Sequence, residues 1–210
     1  MWIAAAILAA VVTAVFIDNF LTRRSNHHRN TTEEEQRPVP RLISDQNTLR
    51  AYRFGKWTLD RNGCCAVAVY NALCLLEPGT PHRLSAVIRS LDTYLGYNAW
   101  GLLGGSPPAV GRYFRKRGFR VRFMTCVPRC DHAAVDACIR TSQVCIALFR
   151  HPGSLSMHYA AVRWNTETGC FDRYNYNGHE VSFDRYLNAS GKHLIGIWCI
   201  GEPRADVDRT

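Results

Sequence analysis

Residues 62–73 read Asn62-Gly63-Cys64-Cys65-Ala66-Val67-Ala68-Val69-Tyr70-Asn71-Ala72-Leu73. Two polar or turn-forming residues lead into a run that is apolar on nearly every side. Such a run predicts a central helix, buried all round and starting near Cys64. Pro78, Gly79 and Pro81 end it. Downstream, Leu84, Val87, Ile88, Leu91 and Leu95 recur at helical spacing and predict an amphipathic helix over 82–95. A Gly-rich loop over 100–106 precedes a third helix over 107–117, with proline in its first turn and Gly118 after its end. Phe119, Val121 and Phe123 alternate with Arg120 and Arg122, the pattern of a strand. Asp131 caps a short helix over 131–140. Strand-like runs follow at 144–149, 158–164, 170–176 and 193–200, with one helical turn over 183–187. Helices first and a meander of strands afterwards predict an α+β fold, with the central helix packed on an antiparallel sheet.

The chain has 210 residues, enough for one domain behind an N-terminal appendage. With 47% hydrophobic and 20% charged residues, it is neither disordered throughout nor a polytopic membrane protein. Its net charge of +9 favours an anionic neighbour. Arg112, Arg115, Lys116, Arg117, Arg120 and Arg122 form a basic cluster, read as a solvated face. No aromatic stacking platform is interleaved with it, so nucleic acid is not an expected partner.

Residues 2–17 carry one polar member, Thr13; Asp18, Asn19, Phe20 and Leu21 follow, then Arg23 and Arg24. This predicts a single membrane anchor over 1–24, touching the membrane through 1–21. The arginines on its C-terminal side favour a cytoplasmic domain. Residues 25–45, with His27, His28, the run Glu33-Glu34-Glu35, Pro38 and Pro40, read as a flexible linker. The domain then occupies 46–204, and 205–210 form a tail.

Nine cysteines cannot all pair within the chain. Cys74, Cys138, Cys145 and Cys199 lie in apolar runs, where reduced cysteines act as small hydrophobes. Cys126, Cys130 and His132 lack the second pair of a zinc site, so neither metal nor cofactor is expected.

Cys64 carries the chemistry. At the first turn of a helix, unpaired N–H groups and the helix dipole favour a thiolate. A nucleophilic thiol needs an imidazole, and the imidazole needs a polar group to orient it. His158 opens an apolar strand, and Asn175 and Asn177 lie one strand further on. Adjacent antiparallel strands bring such residues within reach. Cys65 is the alternative nucleophile, His151 the alternative base and Asn177 the alternative orienter.

The stretch 62–73 resembles the nucleophile helix of the papain-like cysteine peptidases that cleave bacteriocin leader peptides, whose pattern is roughly N/D-x-C-G-P-x-A-x-x-N-A-L. His158-Tyr159-Ala160-Ala161-Val162 resembles their H-[FY]-x-x-V strand, and Arg173-Tyr174-Asn175 their next strand. Gly105-Ser106-Pro107 before a helix also fits. The resemblance covers about residues 50–200. It implies a papain-like fold and a thiol hydrolase cutting a peptide amide with a Cys64-His158-Asn175 triad and no cofactor. Its substrate is a peptide or protein, and a membrane transporter is the further partner it implies. The chain departs from the pattern at Cys65, where relatives carry Gly, and at Ala66, where they carry Pro. No Gln lies a few residues before Cys64, so Asn62 is the candidate oxyanion donor. A degenerate domain that binds a peptide in the same groove is the second reading. A thiol redox or metal protein using Cys64–Cys65 or Cys126–Cys130 is the third.

Overall fold

The computed structural model describes residues 2–92, 104–151, 156–175, 178–180, 186–187, 190 and 192–203. The first element, α1, is a helix of 35 residues, Trp2–Gln36. A 3-10 turn at Gln46–Thr48, a two-stranded ribbon (β1, Arg53–Phe54; β2, Trp57–Thr58) and the short α2 (Leu59–Asn62) lead into the central helix α3, Cys64–Leu76. Then come α4 (Leu84–Asp92), α5 (Pro107–Lys116), β3 (Phe119–Thr125) and α6 (His132–Thr141). The strands β4 (Val144–Arg150), β5 (Met157–Asn165), β6 (Cys170–Tyr174), β7 (Gly178–Glu180) and β8 (His193–Pro203) complete the chain. The six-stranded sheet runs in the order β3-β8-β4-β5-β6-β7, and every neighbouring pair in it is antiparallel. The fold is therefore α+β, with helices preceding most of the sheet.

The predicted central helix starts at Cys64 for a steric reason. Gly63 caps it, and a Cβ there would stand 2.3 Å from the Leu59 side chain. Cys65 to Cys74 are all buried, as expected of a helix apolar on every side. Asn71 is the polar exception. Its amide accepts from the Ile43 N–H (2.8 Å) and donates to the Ile43 carbonyl (2.9 Å), tying the preceding segment to the helix. Both faces of the sheet are covered. On one, Val144, Ile146, Leu148, Tyr159, Ala161, Trp198 and Ile200 share a core with α3, α4 and α5. On the other, Cys145, Ala147, Phe149, Ala160, Val162, Ile197 and Cys199 share a second core with α6. Of the helical turn expected over 183–187, Tyr186 and Leu187 are helical and 183–185 lie outside the described residues, as do the loop over 100–103 and Leu95.

Two expectations are corrected. Residues 25–36 are not an irregular linker but the last turns of α1. Their polar side chains bind the domain. Asn26 donates to the Gly55 carbonyl (2.8 Å), and Asn30 donates to the Arg53 carbonyl and accepts from the Arg53 N–H (both 2.8 Å). Glu34, buried, accepts from the Leu84 N–H (2.6 Å), the Ser85 N–H (3.1 Å) and the Ser85 hydroxyl. A carboxylate from one helix thus caps the N-terminus of another, where the free N–H groups and the dipole favour negative charge. The apolar period is absent from these turns because hydrogen bonds hold them in place of a hydrophobic stripe. The second correction concerns cysteine. Cys138 and Cys199, read as reduced hydrophobes, form a disulfide joining α6 to β8.

Glu34→Ala strips three donors of their acceptor inside the protein. We expect a loss of about 2–3 kcal/mol, the scale of buried groups left unpaired. For a domain of this size that lowers the melting temperature by roughly 5–10 °C. Glu34→Asp, with its carboxylate one methylene short, should recover part of it. A thermal melt of the full chain in detergent reads both.

Candidate functional site

Sheet and helix meet where β6 leaves β5. Their pairing is recorded from Asn165–Cys170 to Ala161–Tyr174, so residues 157–160 of β5 extend beyond it. The N-terminus of α3 is packed against β5 in this region. Cys64 is half-buried as a residue, with its sulfur enclosed. Burial pushes its thiol up from the ordinary value. The backbone N–H groups of Tyr159, Cys65 and Cys64 itself point at the sulfur and oppose that rise only in part. The lowered pKa expected from the helix terminus is therefore reversed: removal from water outweighs the dipole. Cys65 is fully buried, and its thiol is pushed well above the ordinary value by burial and then by the neighbouring Cys64. Gly105 lies directly over it; a Cβ there would stand 2.3 Å from that of Cys65. The Tyr159 hydroxyl donates to the Gly105 carbonyl (3.2 Å), closing the loop onto β5.

His158 is 6% exposed. Tyr159 packs into the core shared with α3, and the ring of His158 lies beside Phe149, a residue of the second core. There it lies 5.3 Å from the ring of Phe149 and 6.2 Å from that of His151. Burial lowers its pKa to about 4, helped by the charges of His151, Lys192 and Arg173; a hydrogen bond to the backbone carbonyl of Asn175 opposes the shift. The imidazole is neutral at pH 7. His151, the alternative base, is also lowered, by burial and then by Lys192.

Asn175 is fully buried, in the left-handed region at φ 67°. It meets His158 through its backbone carbonyl, not through the side-chain amide that the triad reading requires. The amide is turned to Gln46. Its oxygen accepts from the Gln46 N–H (3.2 Å), and its nitrogen donates to Gln46 Oε1 (2.8 Å). Gln46 Nε2 in turn donates to the Asp60 carbonyl (2.8 Å) in the helix before Cys64. One chain of hydrogen bonds therefore runs from His158 through Asn175 and Gln46 to α2. Gln46 was not among the sequence candidates. It stands far upstream of Cys64, in a segment with no apolar period, and its only local signal is the Asp45 side chain capping the 3-10 turn.

The structure thus brings the backbone of Tyr159 to the sulfur of Cys64 and the bend at Asn175 to the imidazole of His158, while the Asn175 side-chain amide is committed to Gln46. Asn62 closes α2, two residues before Cys64, against the backbone of Gly104. Asn177, the alternative orienter, lies outside the described residues. Among the described residues no group of three or more His, Cys, Asp or Glu side chains is placed to hold a metal. No family model matches the chain, and no curated protein matches its sequence. At the other end, α1 carries an 18-residue window of mean hydropathy 2.1, none of it buried against the domain, and is long and apolar enough to cross a membrane.

Proposed function

We propose that the chain is a single-pass, membrane-anchored thiol hydrolase of papain-like type that cleaves a peptide amide. The observation that carries the reading is the Cys64 sulfur, seated at the N-terminus of a buried helix on the N–H of the residue after His158. In this reading Cys64 is the nucleophile. His158 takes its proton as the sulfur attacks the carbonyl, passes it to the leaving amine, and activates water against the thioester. Cys64 and His158 both rest neutral, so the reaction starts from thiol and imidazole rather than from an ion pair. Asn62 and the Cys64 N–H are the candidate oxyanion donors. The substrate is a peptide or protein, a membrane transporter is a candidate partner, and the anchor's arginines favour a cytoplasmic domain.

A second reading is favoured by one specific observation, the turn of the Asn175 side-chain amide to Gln46 instead of to His158. In it the domain binds a peptide beside Cys64 without cutting it.

The test uses an electrophilic peptide probe on the full chain in detergent. Cys64→Ala should abolish covalent labelling, and Cys65→Ala should leave most of it, because Cys65 is enclosed under Gly105. His158→Ala should slow labelling at pH 7 by at least about 100-fold, the lower range for a lost general base. Labelling that is unmoved by His158→Ala, together with retained peptide affinity, would favour the binding reading. Equal labelling of the Cys64 and Cys65 variants would overturn both assignments.

A further inference from the structure

On the face of the sheet away from Cys64, a second pair of thiols stands outside the hydrolase site. Cys126 directly follows β3, its N–H bound to the Ile195 carbonyl of β8 (2.9 Å). Residues 127–129 turn the chain back, and Cys130 arrives one residue before Asp131, the cap of α6. The two side chains are hydrogen-bonded to each other. They differ in access: Cys126 is 6% exposed, whereas Cys130 is half-buried. Both open into a cavity of about 510 Å³, a volume typical of small-molecule sites. The other polar groups around it are basic: Arg150, Lys192, His132 and His193. Lys192 is held in place by a hydrogen bond to the Tyr186 hydroxyl (2.7 Å) and by the faces of Phe149 and Tyr186. Asp131, the nearest acid along the chain, has its carboxylate engaged by the Ala134 N–H (3.0 Å).

We infer that Cys126 and Cys130 form a thiol–disulfide exchange site for an anionic low-molecular-weight disulfide of the glutathione class. Two thiols in contact, one accessible and one recessed, provide an attacking and a resolving sulfur. The cationic rim attracts a partner that carries carboxylates. Cys130, as its thiolate, attacks one sulfur of the small disulfide; a mixed disulfide forms and the first small thiolate leaves and takes up a proton. Cys126 then loses its proton and attacks the Cys130 sulfur, expelling the second small thiol. In balance, two protein thiols and one small disulfide become one protein disulfide and two small thiols. Burial, and then Cys130, push the Cys126 thiol up to about 12. This fits a resolving sulfur that reacts only once its neighbour has been captured. The Cys138–Cys199 disulfide on the same face shows that this side of the domain accommodates an oxidised pair.

The full chain in detergent is incubated with glutathione and glutathione disulfide over a range of ratios, then trapped by alkylation and mapped by mass spectrometry. The expected product is a Cys126–Cys130 bond, two hydrogens lighter than the dithiol. Cys126→Ser should accumulate a glutathione adduct on Cys130, whereas Cys130→Ser should leave Cys126 unmodified. Arg150→Glu together with Lys192→Glu should slow the reaction with glutathione disulfide by about 10-fold or more. The same double variant should leave the rate with uncharged hydroxyethyl disulfide unchanged, which separates lost steering from lost folding. If both thiols remain alkylatable in every buffer, or if the adduct forms on Cys126 in place of Cys130, the inference is overturned. Equal slowing with both disulfides overturns the ligand class.

Discussion

Acidification from pH 7 to pH 4 is expected to remove about 3 kcal/mol of folding stability through His158 alone. The group's ordinary value is 6.5, and in the fold it titrates near 4 because burial, His151, Lys192 and Arg173 oppose its charge. Between those values the unfolded chain binds a proton that the folded chain refuses. Stability therefore falls as pH falls from about 6.5 and levels off below about 4, at roughly 1.4 kcal/mol for each unit of the interval. His27, His82 and His151 are lowered as well, chiefly by burial, so the whole chain should be acid-sensitive. His158→Gln isolates the one contribution. Denaturant unfolding of the full chain at pH 7, 5 and 4 should show a steep loss for the wild type and a shallower one for the variant. Parallel curves would mean that His158 is hydrated and free to protonate in the fold.

Asn175→Ala should cost about 3–4 kcal/mol, or a fall of roughly 6–14 °C in melting temperature for a domain of this size. Two causes add. Both polar atoms of the Asn175 side chain are spent on Gln46 inside the protein, and their loss leaves a backbone N–H and an amide oxygen unpaired. The residue also sits at φ 67°, where asparagine is tolerated and alanine is strained by about 1 kcal/mol. Asn175→Gly relieves only the second cause, so it should be the less harmful of the two. Gln46→Ala should approach the same loss from the other end, and the double variant should cost much less than the sum of the singles. Strict additivity would sink the idea that the two amides act as one clamp.

Much of the architecture is legible in the chain because glycine, proline and hydrophobic period agree. Gly63, Pro107 and Gly118 stand at helix ends, and the bare apolar run after Cys64 admits little but a buried helix. The parts that escape reading have physical reasons. In β5, Tyr159, Ala160, Ala161 and Val162 are all buried, because both faces of the strand are covered. A strand of that kind shows no polar alternation, so its sequence does not tell which residues the His158 ring will lie beside. Gln46 reaches Asn175 across 129 positions and leaves no local trace. The pairing of Cys138 with Cys199, 61 positions apart, is one of many that nine cysteines permit. The last turns of α1 look irregular because polar contacts with the domain replace an apolar stripe.

Those last turns have a mechanical consequence. A helix of 35 residues is about 52 Å long, and roughly 30 Å of that suffices for a bilayer's hydrocarbon layer. The remainder is bolted to the domain at Gly55, Arg53 and the start of α4, with no swivel in between. With the apolar turns in a bilayer, as proposed, the domain is geared to the tilt of its anchor. Bilayer thickness biases that tilt through the mismatch between the apolar stretch and the hydrocarbon layer. A thinner or thicker bilayer would rotate the whole domain as a rigid vane, changing which of its faces looks down at the lipid without altering a single contact inside it.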